Sequence, residues 1–368
     1  MKAPPAIAGI AYADGIDRNN NFDLIRLLAA LQVAVLHSNR HLQAGLPIEV
    51  VRFLELFPGV PIFFFISGLL VTSSLATRPL RAYAESRARR IVPALWLAFL
   101  IGILILAAAG QVGPAELADP TFWAWAASQL TVFQVFNPDM FRDFGVGVLN
   151  GSLWTIPVEV GFYFILPVLA FLAARGAVEG TRKRLTIILV LTALISFVIH
   201  SLVWPTAEDA PILIKLISVS PAPHLWQFAL GSLTYLHFGR VLSWARALGG
   251  IPFGWLAPVV VYALAGWTLE PYMPQPVFVA IAYPVLMFGL VAAAVVAPPR
   301  AGLLRGYDIS YGLYLFHMLA VNIAVALGFV GQWQAAVVAV AVSIVVAGLS
   351  WRFLESPVLR RSVRGPRP

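Results

Sequence analysis

Ten apolar stretches of membrane-spanning length constrain the fold of this chain more than any other feature of its sequence. A helix needs about 20 mostly apolar residues to cross a bilayer. The predicted spans are Phe22–Leu42, Phe57–Ala76, Ile91–Ala109, Ser152–Ala174, Leu185–Trp204, His224–Phe238, Phe253–Leu269, Val277–Ala297, Ile309–Val330 and Ala335–Leu354. Because 60% of the residues are hydrophobic and only 11% are charged, a water-soluble fold would leave too much apolar surface exposed. The sequence therefore predicts an all-α, polytopic membrane helical bundle of about ten transmembrane helices.

The distribution of basic residues predicts the orientation of these helices. With the N-terminus inside, 19 of the 25 lysines and arginines fall in cytoplasmic tails and loops, and four fall in outer loops. This bias is the positive-inside pattern of multi-pass membrane proteins. We expect both termini in the cytoplasm, with a tail over 1–21, a transmembrane domain over 22–354 and a basic tail over 355–368. Topology accounts for the net charge of +8, so no nucleic-acid partner is expected.

Ionisable side chains inside the predicted spans mark candidate functional residues, because charge is costly in a bilayer. The first span carries Asp23, Arg26 and His37. Arg26 and His37 are eleven residues apart, which places them on one helix face about 16 Å apart, with Asp23 near the same face. A lone histidine is often only a packing residue, but the alignment with Arg26 and Asp23 favours a catalytic role for His37.

The third predicted span opens with two arginines, Arg87 and Arg90, which are three residues apart and therefore share a helix face. Two guanidinium groups in this arrangement can bind phosphate oxygens bidentately. The alternative interpretation is that both arginines only anchor the cytoplasmic end of the helix by their charge. The spacing alone leaves both interpretations open.

Two further spans carry polar side chains at membrane depth. Glu159 lies about two helical turns into the fourth span, and Tyr163 follows one turn later on the same face. A buried carboxylate needs a cation or a hydrogen-bond donor, so Glu159 belongs either to the functional site or to a structural ion pair. In the ninth span, Tyr314 and His317 share a face. His317 can orient a substrate or the catalytic group, or it can serve packing alone.

Several other chemistries find no support in the sequence. The chain has no cysteine, which excludes thiolate catalysis and cysteine-ligated metals. No spacing of His, Asp and Glu suggests a metal site, and there is neither a Walker loop nor a glycine-rich dinucleotide turn. We therefore expect no metal cofactor.

Six motifs occur in order along the chain and resemble those of the acyltransferase-3 family, bacterial ten-helix membrane O-acyltransferases. They are Phe22–Arg26 with the Arg26-x10-His37 pair, Gly59–Gly68, Arg87-x-x-Arg90, Leu153–Thr155 with Glu159 and Phe162–Tyr163, Ser310–His317, and Leu354–Pro357. Each motif alone is weak. Their order, on helices that are correctly oriented, makes the resemblance specific.

The resemblance implies transfer of an acyl group, usually acetyl, from cytoplasmic acetyl-CoA to a hydroxyl of a carbohydrate or cell-surface glycan at the bacterial inner membrane. His37 would act as the general base, with Glu159 or Asp23 setting its tautomer. The CoA phosphates would be bound by Arg26, Arg87 and Arg90. Substrate would be bound or oriented by Trp154, Tyr163, Tyr314 and His317.

Alternatives of class and partner stay open at this point. A membrane transporter, for instance an exporter of a lipid-linked sugar, would also suit ten helices with embedded charges. Transfer or hydrolysis of acetyl-CoA by the purified protein without a gradient separates the two classes. Transfer is either direct or completed by a separate extracytoplasmic partner. The sequence does not identify the acceptor, the length of the acyl chain or the oligomeric state.

Overall fold

The computed structural model describes residues 20–204, 209–247, 275–295, 304 and 306–361, and the regular secondary structure in these ranges is entirely helical. The α-helices are α1 (Phe22–Leu42), α2 (Ile48–Glu55), α3 (Gly59–Thr77), α4 (Leu80–Ala108), α5 (Pro114–Ala118), α6 (Pro120–Leu130), α7 (Thr155–Ala174), α8 (Thr181–Val203), α9 (Ile212–Ser218), α10 (Leu225–Leu236), α11 (Phe238–Ala247), α12 (Gln275–Val295), α13 (Ser310–Ala326), α14 (Trp333–Ser350) and α15 (Ser356–Arg361). Short helical turns occur at Asp139–Phe141, Gly151–Trp154 and Val178–Gly180, and Trp351–Glu355 forms a π-helical turn. The all-α prediction is confirmed for the described residues.

Six helical segments in the described ranges are long and apolar enough to cross a membrane, so the chain is a multi-pass membrane protein. They are Ile48–Thr77, Leu80–Ala108, Gly151–Ala174, Val178–Val203, Val277–Val295 and Trp333–Arg360. The helix α13 is also apolar but is shorter, with 17 residues. The count of about ten spans and the cytoplasmic placement of both termini stay predictions. The predicted span Phe253–Leu269 and the tail residues 1–19 and 362–368 lie outside the described residues.

Some helices begin or end at residues other than the bounds of the predicted spans. Whereas α1 has the predicted bounds, α4 begins at Leu80, eleven residues before the predicted start at Ile91. The helix α10 has 12 residues and is therefore about 18 Å long, which is shorter than the hydrocarbon core of a bilayer. The predicted C-terminal tail starts at Glu355, which is 1% exposed and lies within continuous helical structure.

The chain divides into two compact units. The first unit comprises Met1–Arg26, Glu55–Tyr83 and Gly161–Gly306, and the second unit comprises Leu27–Leu54, Ala84–Val160 and Tyr307–Pro368. The long helices α1, α4 and α7 each contribute residues to both units.

Within the first unit, α3 packs closely against α10. A Cβ atom added to Gly68 would lie 2.0 Å from the carbonyl oxygen of Phe228, and one added to Gly231 would lie 1.9 Å from the carbonyl oxygen of Phe65. Only glycine fits at both positions, because the two helix backbones are in contact there. The glycine that ends the Gly59–Gly68 motif therefore serves helix packing.

Within the second unit, α13 is fixed by α14 and by the segment that precedes α7. Gly312 of α13 faces Ala347 of α14, where an added Cβ atom would lie 3.1 Å from the Ala347 Cβ. The Asn322 side chain accepts from the N–H of Val146 at 2.8 Å and donates to the carbonyl oxygen of Leu149 at 3.0 Å. These contacts hold the helix that carries Tyr314 and His317 in place.

Candidate active site

Two histidines, predicted separately from the first and ninth spans, form a direct pair in the second unit. His37 lies on α1 and His317 lies on α13. The Nδ1 atom of His37 is 2.9 Å from Nε2 of His317, and the ring centroids are 5.1 Å apart. His317 is 1% exposed, and its Nδ1 atom lies 2.7 Å from the carbonyl oxygen of Tyr314. We call these two residues the histidine pair.

The hydrogen bonds of the histidine pair determine which ring nitrogens carry protons when both imidazoles are neutral. The carbonyl oxygen of Tyr314 can only accept, so Nδ1 of His317 is the donor and carries the proton. Nε2 of His317 is then an acceptor, and Nδ1–H of His37 donates to it. Nε2 of His37 consequently keeps its lone pair. In this tautomer His37 can accept a proton from a hydroxyl group, which is the chemistry of a general base.

Tyr314 connects the histidine pair to the start of α7. The Tyr314 hydroxyl accepts from Oγ1 of Thr155 at 3.0 Å and donates to the carbonyl oxygen of Ser152 at 3.0 Å. Glu159, one helical turn after Thr155, interacts electrostatically with Tyr314. The predicted residue Trp154 lies in the short helical turn just before α7. The second unit therefore links Ser152 and Thr155 to the histidine pair through Tyr314, by contacts that the sequence did not reveal.

Arg90 of α4 is joined to Asp308, a residue that no predicted motif includes. Nη2 of Arg90 lies 2.5 Å from Oδ2 of Asp308, and the two side chains are 15% and 6% exposed. The Arg90 guanidinium also lies over the Tyr311 ring, 5.7 Å from its centroid. Oδ1 of Asp308 accepts from both the backbone N–H and the hydroxyl of Ser310. An Asp side chain that accepts from the backbone N–H two residues later forms an Asx-type turn, and this Asp-x-Ser pattern before the helix could have revealed the residue.

The neighbouring arginines of α4 have different environments. Nε of Arg87 donates to Oγ of Ser86 at 3.3 Å, and the side chain is half-buried. Arg89 makes an exposed contact with Glu85 one turn earlier, at 3.9 Å. Exposed pairs of this kind contribute little to stability. The Arg87-x-x-Arg90 motif thus joins two side chains whose surroundings differ, although both lie on one helix face.

Three predicted site residues belong to the first unit. Asp23 and Arg26 lie on the first turns of α1, and Tyr163 lies on α7. Asp23 precedes His37 by fourteen residues, which is a rise of about 21 Å along a continuous helix, too far for a direct contact between the two side chains. Tyr163 is 8% exposed, and its backbone carbonyl oxygen accepts from the Tyr83 hydroxyl at 2.9 Å.

The fold and the site together define a class of protein, a multi-pass helical membrane protein that carries a hydrogen-bonded pair of histidines. Among the residues that the structure describes, no group of three or more His, Asp or Glu side chains is arranged to hold a metal ion. A family profile described as an acyltransferase domain matches residues 19–352. The chain belongs to this acyltransferase-3 family and is a membrane O-acyltransferase. No solved structure matches it.

Three relatives match over nearly the whole chain. Nodulation protein 10 of Rhizobium leguminosarum bv. viciae is 33% identical over 359 residues, which cover 93% of this chain and 93% of the relative. The O-acetyl transferase of Shigella phage Sf6 is 24% identical, over 94% of this chain and 97% of the relative. The peptidoglycan O-acetyltransferase OatA of Listeria monocytogenes is 23% identical, over 92% of this chain and 55% of the relative. The matches confirm the predicted family and the predicted enzyme class.

Proposed function

We propose that this enzyme moves an acyl group, in the simplest case acetyl, from cytoplasmic acyl-CoA to a hydroxyl of a carbohydrate or cell-surface glycan, with His37 as the general base. The observation that carries the proposal is the hydrogen bond between His37 and the buried His317, which leaves Nε2 of His37 as a proton acceptor. The names of two relatives support the acetyl group, and one of them names peptidoglycan as the acceptor. The bacterial cytoplasmic membrane is the proposed location.

The reaction needs a base because a sugar hydroxyl is a weak nucleophile at neutral pH. As the hydroxyl oxygen attacks the thioester carbonyl, its proton passes to Nε2 of His37. The tetrahedral intermediate then collapses to the new ester, and the CoA sulfur leaves and takes up the proton from Nε2 of His37, which restores the neutral base. A positioned base typically contributes about 10²–10⁴-fold to such a step. The Nδ1–H of His37 donates to His317 both before and after proton transfer, so the ring keeps its orientation.

The donor is proposed to bind at the cytoplasmic ends of the helices, because acyl-CoA is made in the cytoplasm and carries several phosphates. Arg87 and Arg90 are the proposed phosphate ligands on α4, and Arg26 of α1 is the proposed third cation. Guanidinium groups match phosphate oxygens in charge and in bidentate geometry. The pantetheine arm would carry the acyl group toward His37, so the acyl group would cross the membrane while CoA stays inside.

The proposed function is tested with purified protein in lipid nanodiscs, supplied with acetyl-CoA in the absence of an ion gradient. Acyl transfer or donor hydrolysis releases the CoA thiol, which a thiol-reactive dye detects. The transporter alternative predicts no thiol release. Mass spectrometry of cell-surface glycans, with and without the gene, then identifies the acceptor. The same comparison shows whether a separate extracytoplasmic partner is required.

Replacing Arg87 and Arg90 together with lysine is expected to weaken acetyl-CoA binding by about tenfold, because lysine keeps the charge but loses the bidentate fork. Membrane insertion should be unchanged, since topology depends on charge alone. Calorimetry in detergent measures the affinity, which should also fall more steeply as salt is raised. Arg89→Lys, on the same helix, is the control. Wild-type affinity in the double variant would identify the two arginines as topological anchors.

Glu159→Gln is expected to lower turnover by about tenfold while the yield of folded protein stays close to wild type, because the substitution removes charge beside Tyr314 but keeps the side-chain volume. The rate of CoA release and the monodisperse yield in detergent measure the two quantities. A collapse in yield with normal turnover of the surviving protein would instead identify a structural ion pair, since a stranded buried charge costs about 3–5 kcal/mol.

A further inference from the structure

Asp308 is a buried carboxylate just before α13 that the proposed mechanism does not use. One oxygen, Oδ2, contacts Arg90 at 2.5 Å, and the other, Oδ1, accepts from the N–H of Ser310 at 3.1 Å and from its hydroxyl at 2.5 Å. Ser310 is fully buried, with 0% exposure. The carboxylate is therefore held from both sides, by an arginine of α4 and by the first turn of α13. Its orientation is fixed by these contacts.

The same contacts fix the guanidinium of Arg90. Nη2 is held by Asp308, and the guanidinium carbon lies 5.7 Å from the centroid of the Tyr311 ring. Tyr311 is itself 6% exposed, and its hydroxyl donates to the carbonyl oxygen of Ile91 at 3.1 Å. A carboxylate at one edge and a ring under the face define both the position and the plane of the guanidinium group.

We propose that Asp308 is a positioning residue that holds the Arg90 guanidinium in the orientation in which it meets the phosphates of the acyl-CoA donor. The inference rests on the proposed function and deepens it, because it adds a residue to the donor site. An unconstrained arginine loses rotamer entropy when it binds an anion, and one that is already fixed loses less. Asp308 acts through Arg90, and Ser310 acts through Asp308.

The negative charge of Asp308 and its role in orienting Arg90 predict changes of opposite sign in anion binding when Asp308 is removed. Asp308 places a negative charge beside the proposed phosphate site, so electrostatics alone predicts that its removal strengthens anion binding. If Asp308 positions Arg90, its removal weakens anion binding in spite of the added positive charge. The sign of the change in KM for acetyl-CoA therefore separates positioning from simple charge balance.

The test compares three variants of the full chain in nanodiscs, with acetyl-CoA as the varied substrate. Asp308→Asn is expected to raise KM about tenfold and to change kcat by less than about twofold, because the group acts on donor binding. Ser310→Ala removes one hydrogen bond and no charge, and should raise KM by a smaller factor. Glu85→Gln is the matched control, because it removes the same charge from an exposed pair with Arg89 on α4. Its KM should be unchanged or slightly lower.

A KM that is unchanged or lower in Asp308→Asn, in protein whose wild type is active, overturns the inference. A purely structural link would lower the thermal unfolding midpoint and leave KM alone, which also overturns it. If Asp308→Asn does not fold, Ser310→Ala decides by the same criterion. A wild-type protein that neither binds CoA in calorimetry nor releases CoA from acetyl-CoA overturns the proposed function, and the inference with it.

Discussion

Replacement of His37 with alanine is expected to reduce the rate of acyl transfer to below about a tenth of the wild-type rate. Loss of a positioned general base typically lowers the rate of such a step by about 10²–10⁴-fold. The reason is that Nε2 of His37 is the atom proposed to receive the proton of the attacking hydroxyl, and alanine has no group in its place. The affinity for acetyl-CoA should change little, because the proposed phosphate ligands are arginines. Initial rates of CoA release in nanodiscs, together with calorimetry, measure the two effects separately.

His237 provides a matched control for this substitution. It is also a hydrogen-bonded histidine, with Nε2 at 3.1 Å from Oγ1 of Thr186 in the first unit, and it has no proposed role in transfer. His237→Ala should keep most of the wild-type rate. If folded His37→Ala protein retains more than about a tenth of the activity, His37 is not the base, since a base contributes about 10²-fold or more. His317 would then be the next candidate.

The all-α membrane class could be predicted from the sequence because apolar stretches long enough to span a bilayer recur along the chain. The predicted bounds of α1 agree with the helix, although α1 is not among the six segments that are long and apolar enough to cross a membrane. The prediction failed at the start of α4, because residues 80–90 are rich in arginine and alanine. Arginine and alanine both favour helix formation, but a segment rich in arginine is not apolar and was therefore left out of the predicted span. The prediction also placed a span at His224–Phe238, where the helix is too short to cross a bilayer alone.

The sequence marked individual site residues but not the contacts among them. His37 and His317 are 280 residues apart, and no local pattern relates residues at such a separation. Reasoning from charge offered Asp23 or Glu159 as the group that sets the His37 tautomer, whereas the structure places the imidazole of His317 at the Nδ1 atom. Asp308 was missed because a charged residue at the very edge of a predicted span is ordinarily interpreted as solvated.

Loss of His317 is expected to lower turnover nearly as much as loss of His37. The reason is that His317 accepts the Nδ1–H of His37 and thereby fixes both the tautomer and the ring orientation of His37. His317→Leu replaces the imidazole with an apolar side chain of moderate size and so removes the hydrogen-bond acceptor. We expect it to lower kcat by about 10²-fold, as is typical when a catalytic base is no longer oriented. His317→Gln retains an oxygen acceptor and should recover part of this loss. KM for acetyl-CoA should stay close to wild type in both variants.

An orienting role and a packing role for His317 predict different rank orders of activity for the Leu and Gln variants. If His317 only fills space in α13, the polar Gln side chain is the more disruptive at a position that is 1% exposed, and turnover should follow stability. If His317 orients His37, the Gln variant is the more active of the two, even where it is the less stable. Measuring kcat and the thermal unfolding midpoint in the same detergent gives both quantities. A Leu variant more active than the Gln variant would contradict the acceptor role and return Glu159 to the position of tautomer-setting group.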